Sequence, residues 1–303
     1  MEANLTSEEV EEYLARIHYT GPIEPTIEAL TKLQQCHILS VPFENLSVFG
    51  KEQIALSKDW LFDKIMRRHR GGFCCELNTL FSFLLSYFGF NYKKHAASVF
   101  SRKTGLLGPP FDHLVLMVNI EDELWLTDVG FGNSCYPPLR FTGLGEHQQQ
   151  QSGTYRIRKE GDNYFYEEKV ELIVDKCGLE EMAKEQCTTP GDPNWAPRFK
   201  FDLIPRNTED FHKMLIYHQT DPEAPFTHDR VCTMARPWGR ETLAGSKLVT
   251  TTYLGDSKVK KETKELVGGE EEVVEELEQK FGIRRETCFY PEGSMFYGVQ
   301  WNS

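Results

Sequence analysis

Arg70-Gly71-Gly72-Phe73-Cys74-Cys75-Glu76-Leu77-Asn78 is the stretch that decides how this chain reads. Leu80, Phe81, Leu84, Leu85 and Phe88 follow it at spacings of one, three and four and stop at Gly89, the pattern of a buried helix. Cys74 therefore sits where that helix opens. Two glycines ahead of it let the backbone turn sharply and leave room for a substrate to approach. Unpaired N–H groups and the positive end of the macrodipole favour a thiolate at such a position, so the thiol is expected below its ordinary value of about 8.5. A nucleophilic cysteine also needs a histidine base, and that base needs an acceptor to orient it.

Upstream, the chain reads as helical. Thr6 and Glu9 form a capping box ahead of Val10, Tyr13, Leu14 and Ile17. A second helix runs from Thr26 towards Cys36, and a third spans about Ser57 to His69. From Tyr92 onwards the pattern changes to strands: His95 to Ser101, His113 to Ile120, Leu124 to Val129, and a hairpin from Thr154 to Arg158 that turns at Gly161-Asp162-Asn163 into Tyr164 to Tyr166. Short strands separated by turns point to a small barrel or sandwich. Glu146 to Gly153, with four consecutive glutamines, is expected to be an exposed polar loop, and Cys177 to Pro197 a linker or insertion. Further on come a strand from Phe199 to Ile204, a helix from Thr208 to Tyr217 and a strand pair around Val231 to Tyr253. A last helix, from about Glu270 to Phe281, has an acidic face expected to be merely solvated.

Composition narrows the function classes. A chain of 303 residues and 35.0 kDa makes two or three domains. With 40% apolar and 26% charged residues it is an ordinary globular chain, not a fibrous or disordered one. Its net charge of −12 and pI near 5.3 disfavour nucleic acid and anionic membranes as partners. Eight cysteines are scattered without a disulfide framework, so reduced thiols are expected. No basic patch and apolar run open the sequence, no stretch reaches membrane-spanning length, and the mean hydropathy is −0.47, which together lead to the expectation of a soluble cytoplasmic protein.

Two residues could complete the chemistry of Cys74. His113 opens the apolar run Leu114-Val115-Leu116-Met117-Val118, at the edge of a strand where its ring can face a cleft. Asp128 ends another apolar strand, in Asp128-Val129-Gly130-Phe131-Gly132. Taken singly, each has a bland alternative: a structural histidine, and an aspartate that merely forms a turn.

Arg70 to Asn78 resembles the R-G-G-x-C-x-E-x-N signature of the arylamine N-acetyltransferases. Val41-Pro42-Phe43-Glu44-Asn45-Leu46 upstream, the run opened by His113, and Asp128-Val129-Gly130-Phe131-Gly132 downstream occur in that family's order and at similar spacing. A weaker likeness extends through Phe201 to Cys232. The resemblance implies an α+β fold with an N-terminal helical bundle (1–90) carrying the nucleophile. A central β-barrel (91–197) would supply the histidine and aspartate, and a C-terminal α/β lid (198–303) would cover a cysteine-protease-like Cys/His/Asp core. It makes Cys74 the nucleophile, Cys75 a variable neighbour, His113 the base and Asp128 its partner. Phe43, Val99 and Phe131 would line an acceptor pocket, Gly130 and Gly132 would keep the path of CoA open, and Ser294 would contact CoA. Arg70, Glu76 and Asn78 would hold the nucleophile turn.

The activity so implied is ping-pong transfer of acetyl from acetyl-CoA, through acetyl-Cys74, to the nitrogen of arylamines or arylhydrazines, with O-acetylation of N-hydroxyarylamines as an extension. The enzyme would be a monomer, with no metal and no bound cofactor. Gly108-Pro109-Pro110-Phe111-Asp112 and Asp221-Pro222-Glu223-Ala224-Pro225 depart from better-known members, so propionyl- or malonyl-CoA stays open as donor. Thiol peptidases and transglutaminases use the same three residue types in the same order. A zinc or redox module built on Cys74, Cys75 and His113 is disfavoured, because adjacent cysteines chelate one zinc poorly and no Cys-x-x-Cys is present. Since the net charge opposes an anionic cosubstrate, a CoA site must gather local Lys and Arg.

Overall fold

Matched caps and helical apolar spacing make the N-terminal part helical in the computed structural model, which describes residues 4–102, 104–133, 135–175, 177–182 and 187–287. The capping box of α1 (Ser7–Arg16) is complete: Glu9 N donates to Thr6 Oγ1 at 3.2 Å and Thr6 N donates to the Glu9 carboxylate at 2.8 Å. Thr26 caps α2 (Ile27–Ser40), which runs four residues past Cys36. After β1 (Phe43–Glu44) come α3 (Leu46–Phe49) and α4 (Lys58–Phe62). The helix expected over about 57–69 changes character at Asp63, where a π-helical segment, Asp63–Arg67, widens the spiral and carries Lys64 into the core. Next comes α5 (Cys74–Tyr87), every residue of which from Cys74 to Leu85 is buried.

The barrel is built from β2 (Asn91–Val99), β3 (His113–Ile120), β4 (Glu123–Thr127), β5 (Leu139–Arg140), β6 (Gln148–Gln150), β7 (Gly153–Glu160) and β8 (Asn163–Lys169), completed by a later strand. The chain first leaves through β9 (Leu172–Val174) and β10 (Glu180–Met182) and returns in β11 (Trp195–Phe201). The antiparallel order is β5-β4-β3-β2-β11-β8-β7-β6. Its two edges nearly meet: the Gln148 side chain accepts from Arg140 N at 2.8 Å and donates to Arg140 O at 2.9 Å. Inward-facing Val115, Leu126, Ile157, Tyr166, Phe199 and Phe201 fill the interior. The four glutamines are thus not a free loop. Three of them form β6, and their amides close the barrel.

Beyond a 3₁₀ turn (Thr208–Phe211) lie α6 (His212–Thr220), β12 (Val231–Arg236), β13 (Gly239–Ala244), β14 (Lys247–Gly255), β15 (Lys258–Glu265) and α7 (Gly269–Phe281). These strands form a second sheet, ordered β1-β12-β13-β14-β15-β9-β10, so the expected strand pair is a longer meander. The supposed linker supplies β10 to this sheet and the start of β11 to the barrel, and the expected 197/198 boundary falls inside β11. Val273, Leu277 and Phe281 of α7 pack with Cys232, Met234 and Leu243. The acidic face of α7 is paired, not just solvated: Lys264 Nζ reaches Glu272 at 2.9 Å and Glu276 at 2.7 Å, and Glu270 meets Arg230. Among the described residues no helix is long and apolar enough to cross a membrane.

Candidate active site

Cys74 is the first residue of α5, and the signature glutamate secures that start: Phe73 N donates to Glu76 Oε2 at 3.1 Å. His113 is the first residue of β3, and Asp128 follows the last residue of β4. These strands are neighbours, with Leu116 opposite Thr127, so the pairing itself brings imidazole and carboxylate together. His113 Nε2 lies 2.7 Å from Asp128 Oδ2. The ring's Nδ1 is then left for Cys74, to which His113 is also hydrogen-bonded.

Asn78, one turn along α5, ties the helix to both strands. Its Nδ2 donates to Asp128 Oδ1 at 2.8 Å and Leu114 O at 2.7 Å, and its Oδ1 accepts from Val129 N at 3.0 Å. Gln34, which sequence reasoning passed over, accepts from Asp128 N at 3.2 Å and donates to the carbonyls of Cys135 and Tyr136. Both are buried and fully engaged, so they fix where the carboxylate points.

Burial governs the electrostatics, with Cys74, His113 and Asp128 only 4%, 1% and 4% exposed. The Cys75 thiol, 3.9 Å away, and burial push the Cys74 thiol well above its ordinary value, and only His113 pulls it down. This reverses the expectation drawn from the helix start. In so dry a position the helix end alone does not lower the thiol; Cys74 and His113 each shift the other, so the two titrate as a pair. Burial opposes charge on His113, but Asp128, by proximity and hydrogen bond, and then Cys74 outweigh it and lift the ring to about 10.

A histidine raised in the folded state adds stability that is whole below its unfolded value of about 6.5 and fades as pH climbs through about 10. Urea midpoints of wild type and His113→Gln should therefore lie furthest apart at about pH 6 and converge above about pH 10. An equal gap at both ends would mean that the ring is neutral.

Cys74 and His113 open onto a cavity of about 390 Å³ between α5, the barrel and the second sheet. Phe43, Val99, Phe131, Gly130 and Gly132, all named from the sequence, line it. Ser294 lies outside the described residues. The glycines serve the fold as much as a ligand. A Cβ on Gly71 would stand 1.9 Å from Pro42 O, so the first of the pair makes room for β1's approach and not for substrate. A Cβ on Gly130 would come within 2.8 Å of Cys74 Cα, so this glycine seats Cys74 against the barrel.

Other cavity residues had no sequence pattern to find them. Asp112 O accepts from the Cys74 thiol at 3.6 Å, and its carboxylate lies 3.3 Å from His218 Nε2 of α6. Arg102, Arg198 and Arg240 come from three separate strands or loops. A lone Arg in a strand looks like surface until the sheets are assembled.

Cys74 and His113 on the wall of an open cavity, with Asp128 behind the histidine, are the residue types and order that thiol-dependent group transfer needs. The family model for N-acetyltransferase matches residues 26–288. Pineal gland isozyme NAT-3 of Gallus gallus, an arylamine N-acetyltransferase, is 31% identical over 297 residues, covering 93% of this chain and 97% of that one. Arylamine N-acetyltransferase 1 of Homo sapiens is 29% identical over 298 residues, 96% of this chain and all of the other. The arylamine N-acetyltransferase structure from Salmonella typhimurium superposes with a TM-score of 0.76 at 29% identity, covering 92% of each chain. That of Mycobacterium marinum in complex with CoA gives 0.77 at 26% identity, over 92% of this chain and 94% of the other. The chain belongs to the arylamine N-acetyltransferase family.

Proposed function

We propose that this enzyme acetylates the nitrogen of arylamines or arylhydrazines from acetyl-CoA in two half-reactions through a thioester on Cys74. The observation that carries the reading is the series Cys74, His113, Asp128, with its first two members on the wall of one cavity. The structure of the Mycobacterium marinum relative with CoA supports the donor. In the first half-reaction the Cys74 thiolate attacks the thioester carbonyl, the C–S bond to CoA breaks, and His113 returns its proton to the departing thiolate. N–H groups in the first turn of α5 face the developing oxyanion. In the second, the amine nitrogen attacks acetyl-Cys74, His113 takes the N–H proton, and the amide leaves with Cys74 as thiolate. Asp128 keeps Nδ1 towards Cys74 and balances the imidazolium throughout.

Phe43, Val99 and Phe131 give the cavity apolar and aromatic walls suited to an aryl ring. Gly130 and Gly132 leave the approach of the pantetheine arm clear, Ser294 contacts CoA, and the part that follows β11 acts as the lid. All seven cysteines among the described residues are free, which supports a reducing, cytoplasmic setting.

Intact-mass analysis after incubation with acetyl-CoA tests the reading. Wild type should gain one acetyl group and lose it on addition of an arylamine, and Cys74→Ala should gain none. An unmodified wild type, or acetylation of the Cys74→Ala protein, would remove the proposal.

A further inference from the structure

Asp112, the residue before His113, stands where three parts of the site meet. Its carbonyl oxygen accepts from the Cys74 thiol at 3.6 Å and from His218 Nε2 at 3.4 Å, its Oδ1 lies 3.3 Å from the same Nε2, and its Oδ2 accepts from Val99 N at 3.4 Å. A backbone carbonyl can only accept, so Nε2 of His218 carries a proton, and the Asp112 side chain meets a donor on each oxygen. That is the setting of an ionised carboxylate. Burial raises the carboxyl, and His218, the Val99 N–H and His113 restrain it.

These contacts do not exhaust the carboxylate, which offers about four lone-pair sites. Its side chain is 17% exposed and lines the cavity with Cys74 and His113. Asp128, by contrast, lies behind the histidine and is taken up by His113, Asn78 and Gly130 N. Gly108 leaves the approach to Asp112 bare, since a Cβ there would stand 2.4 Å from Oδ2. Phe111 turns the chain into Asp112 at a φ of 66°, a left-handed backbone that bulky residues rarely adopt. An acceptor held in so dry a wall calls for a donor. Of the two reactants, the thioester carbonyl brings no N–H to the reacting atoms, whereas a primary amine brings a pair of them.

We propose that the Asp112 carboxylate is a further catalytic residue of the second half-reaction, accepting the N–H that the attacking amine does not give to His113. The nitrogen lone pair forms the C–N bond, the carbonyl pair moves to oxygen, and the nitrogen becomes positive with both hydrogens still on it. One proton passes to His113 Nδ1. The other stays, hydrogen-bonded to Asp112, whose charge balances that of the nitrogen. When the carbonyl re-forms, the C–S bond breaks, its pair stays on Cys74, and the amide departs with the hydrogen that Asp112 held. The first half-reaction has no such N–H, so Asp112 serves the second alone. This inference rests on the acyl-transfer reading above.

The test follows each half-reaction separately, by rapid quenching and intact mass. Asp112→Asn keeps the size of the side chain and an acceptor oxygen but loses the charge. Transfer from its acetyl-Cys74 to para-anisidine should be slower than in wild type by about 10- to 100-fold, the effect of losing a charged hydrogen bond, while acetylation of Cys74 by acetyl-CoA should slow far less. N-methyl-para-anisidine has a single N–H, which His113 needs, so wild type should favour the primary amine by about tenfold or more and Asp112→Asn should lose most of that preference. If the variant does not fold, the wild-type comparison decides: equal kcat/KM for the two amines overturns the role of Asp112. Equal slowing of both half-reactions in the folded variant, which would make Asp112 structural, overturns it too, as does an unslowed second half-reaction. A wild type that takes no acetyl group on Cys74 would instead overturn the acyl-transfer reading itself.

Discussion

Cys74→Ser should lose acyl transfer by about 10⁴- to 10⁶-fold, the range seen when a catalytic nucleophile is removed, whereas Cys75→Ala should keep wild-type activity or exceed it. The two thiols are adjacent in sequence and 3.9 Å apart, so proximity does not separate them. Their surroundings do. Cys74 lines the cavity and is hydrogen-bonded to His113, while Cys75 is fully buried and does not reach the cavity. A serine hydroxyl keeps the size of Cys74 but ionises far less readily, and His113, raised to about 10, is too weakly poised to hold an alkoxide. Cys75 is also the foremost cause of the raised Cys74 thiol, so removing it eases ionisation. Single-turnover CoA release, measured on each variant, checks both halves. Activity that survives in Cys74→Ser and vanishes in Cys75→Ala would move the nucleophile by one residue.

What was legible in the sequence was local, or marked by residues of special geometry. α5 could be read because its apolar spacing is regular, and the 113–120 strand because its apolar run is continuous; the structure places β3 on those very residues. The hairpin at Gly161-Asp162-Asn163 was announced by its turn chemistry, and the capping box of α1 by Thr6 and Glu9. β15 was missed because Lys258 to Glu265 is nearly all charged and has no apolar face to alternate. The glutamine strand was missed for the same reason, since its role lies in side-chain amides that bond the far edge of the sheet.

The site divides along the same line. Cys74, His113 and Asp128 stand at the ends of readable elements, so their types and positions could be named. Gln34, His218 and the three arginines reach the site only through pairings between distant segments, which no window of sequence contains, and Asp112, though next to His113, carries no pattern that marks its carbonyl for Cys74. The direction of the Cys74 thiol was not legible because the contact with the Cys75 thiol and then burial, both set by the assembled fold, outweigh the helix end. The signature's charged residues are part of that assembly: Arg70 pairs with Glu44, and Glu76 with Lys64, in the core.

Lys64→Met should destabilise the protein by about 3–5 kcal/mol, the usual loss when one partner of a buried ion pair is removed. Lys64 is fully buried, with Nζ 2.7 Å from Glu76 Oε1 and 3.8 Å from Glu44 Oε1. Glu44 has a second cation, Arg70, at 2.9 Å, and accepts from Leu46 N and Gly71 N, so it survives the change. Glu76 does not have that insurance. Burial raises its carboxyl, the neighbouring Glu44 raises it further, and Lys64 is the cation that opposes both. Without Lys64, Glu76 must stay charged in the core at great cost or take up a proton. Adding Glu76→Gln removes the charge, and its amide oxygen can still accept from Phe73 N, so the double variant should recover most of the loss. pH separates this from a simple packing defect. A carboxyl raised in the folded state loses stability as pH rises, so the gap between wild type and Lys64→Met should narrow as pH falls towards about 4.5, where Glu76 is protonated without help. Urea midpoints across that range, with the double variant alongside, decide it. A gap independent of pH and unrelieved by Glu76→Gln would mean that Lys64 contributes only its methylenes.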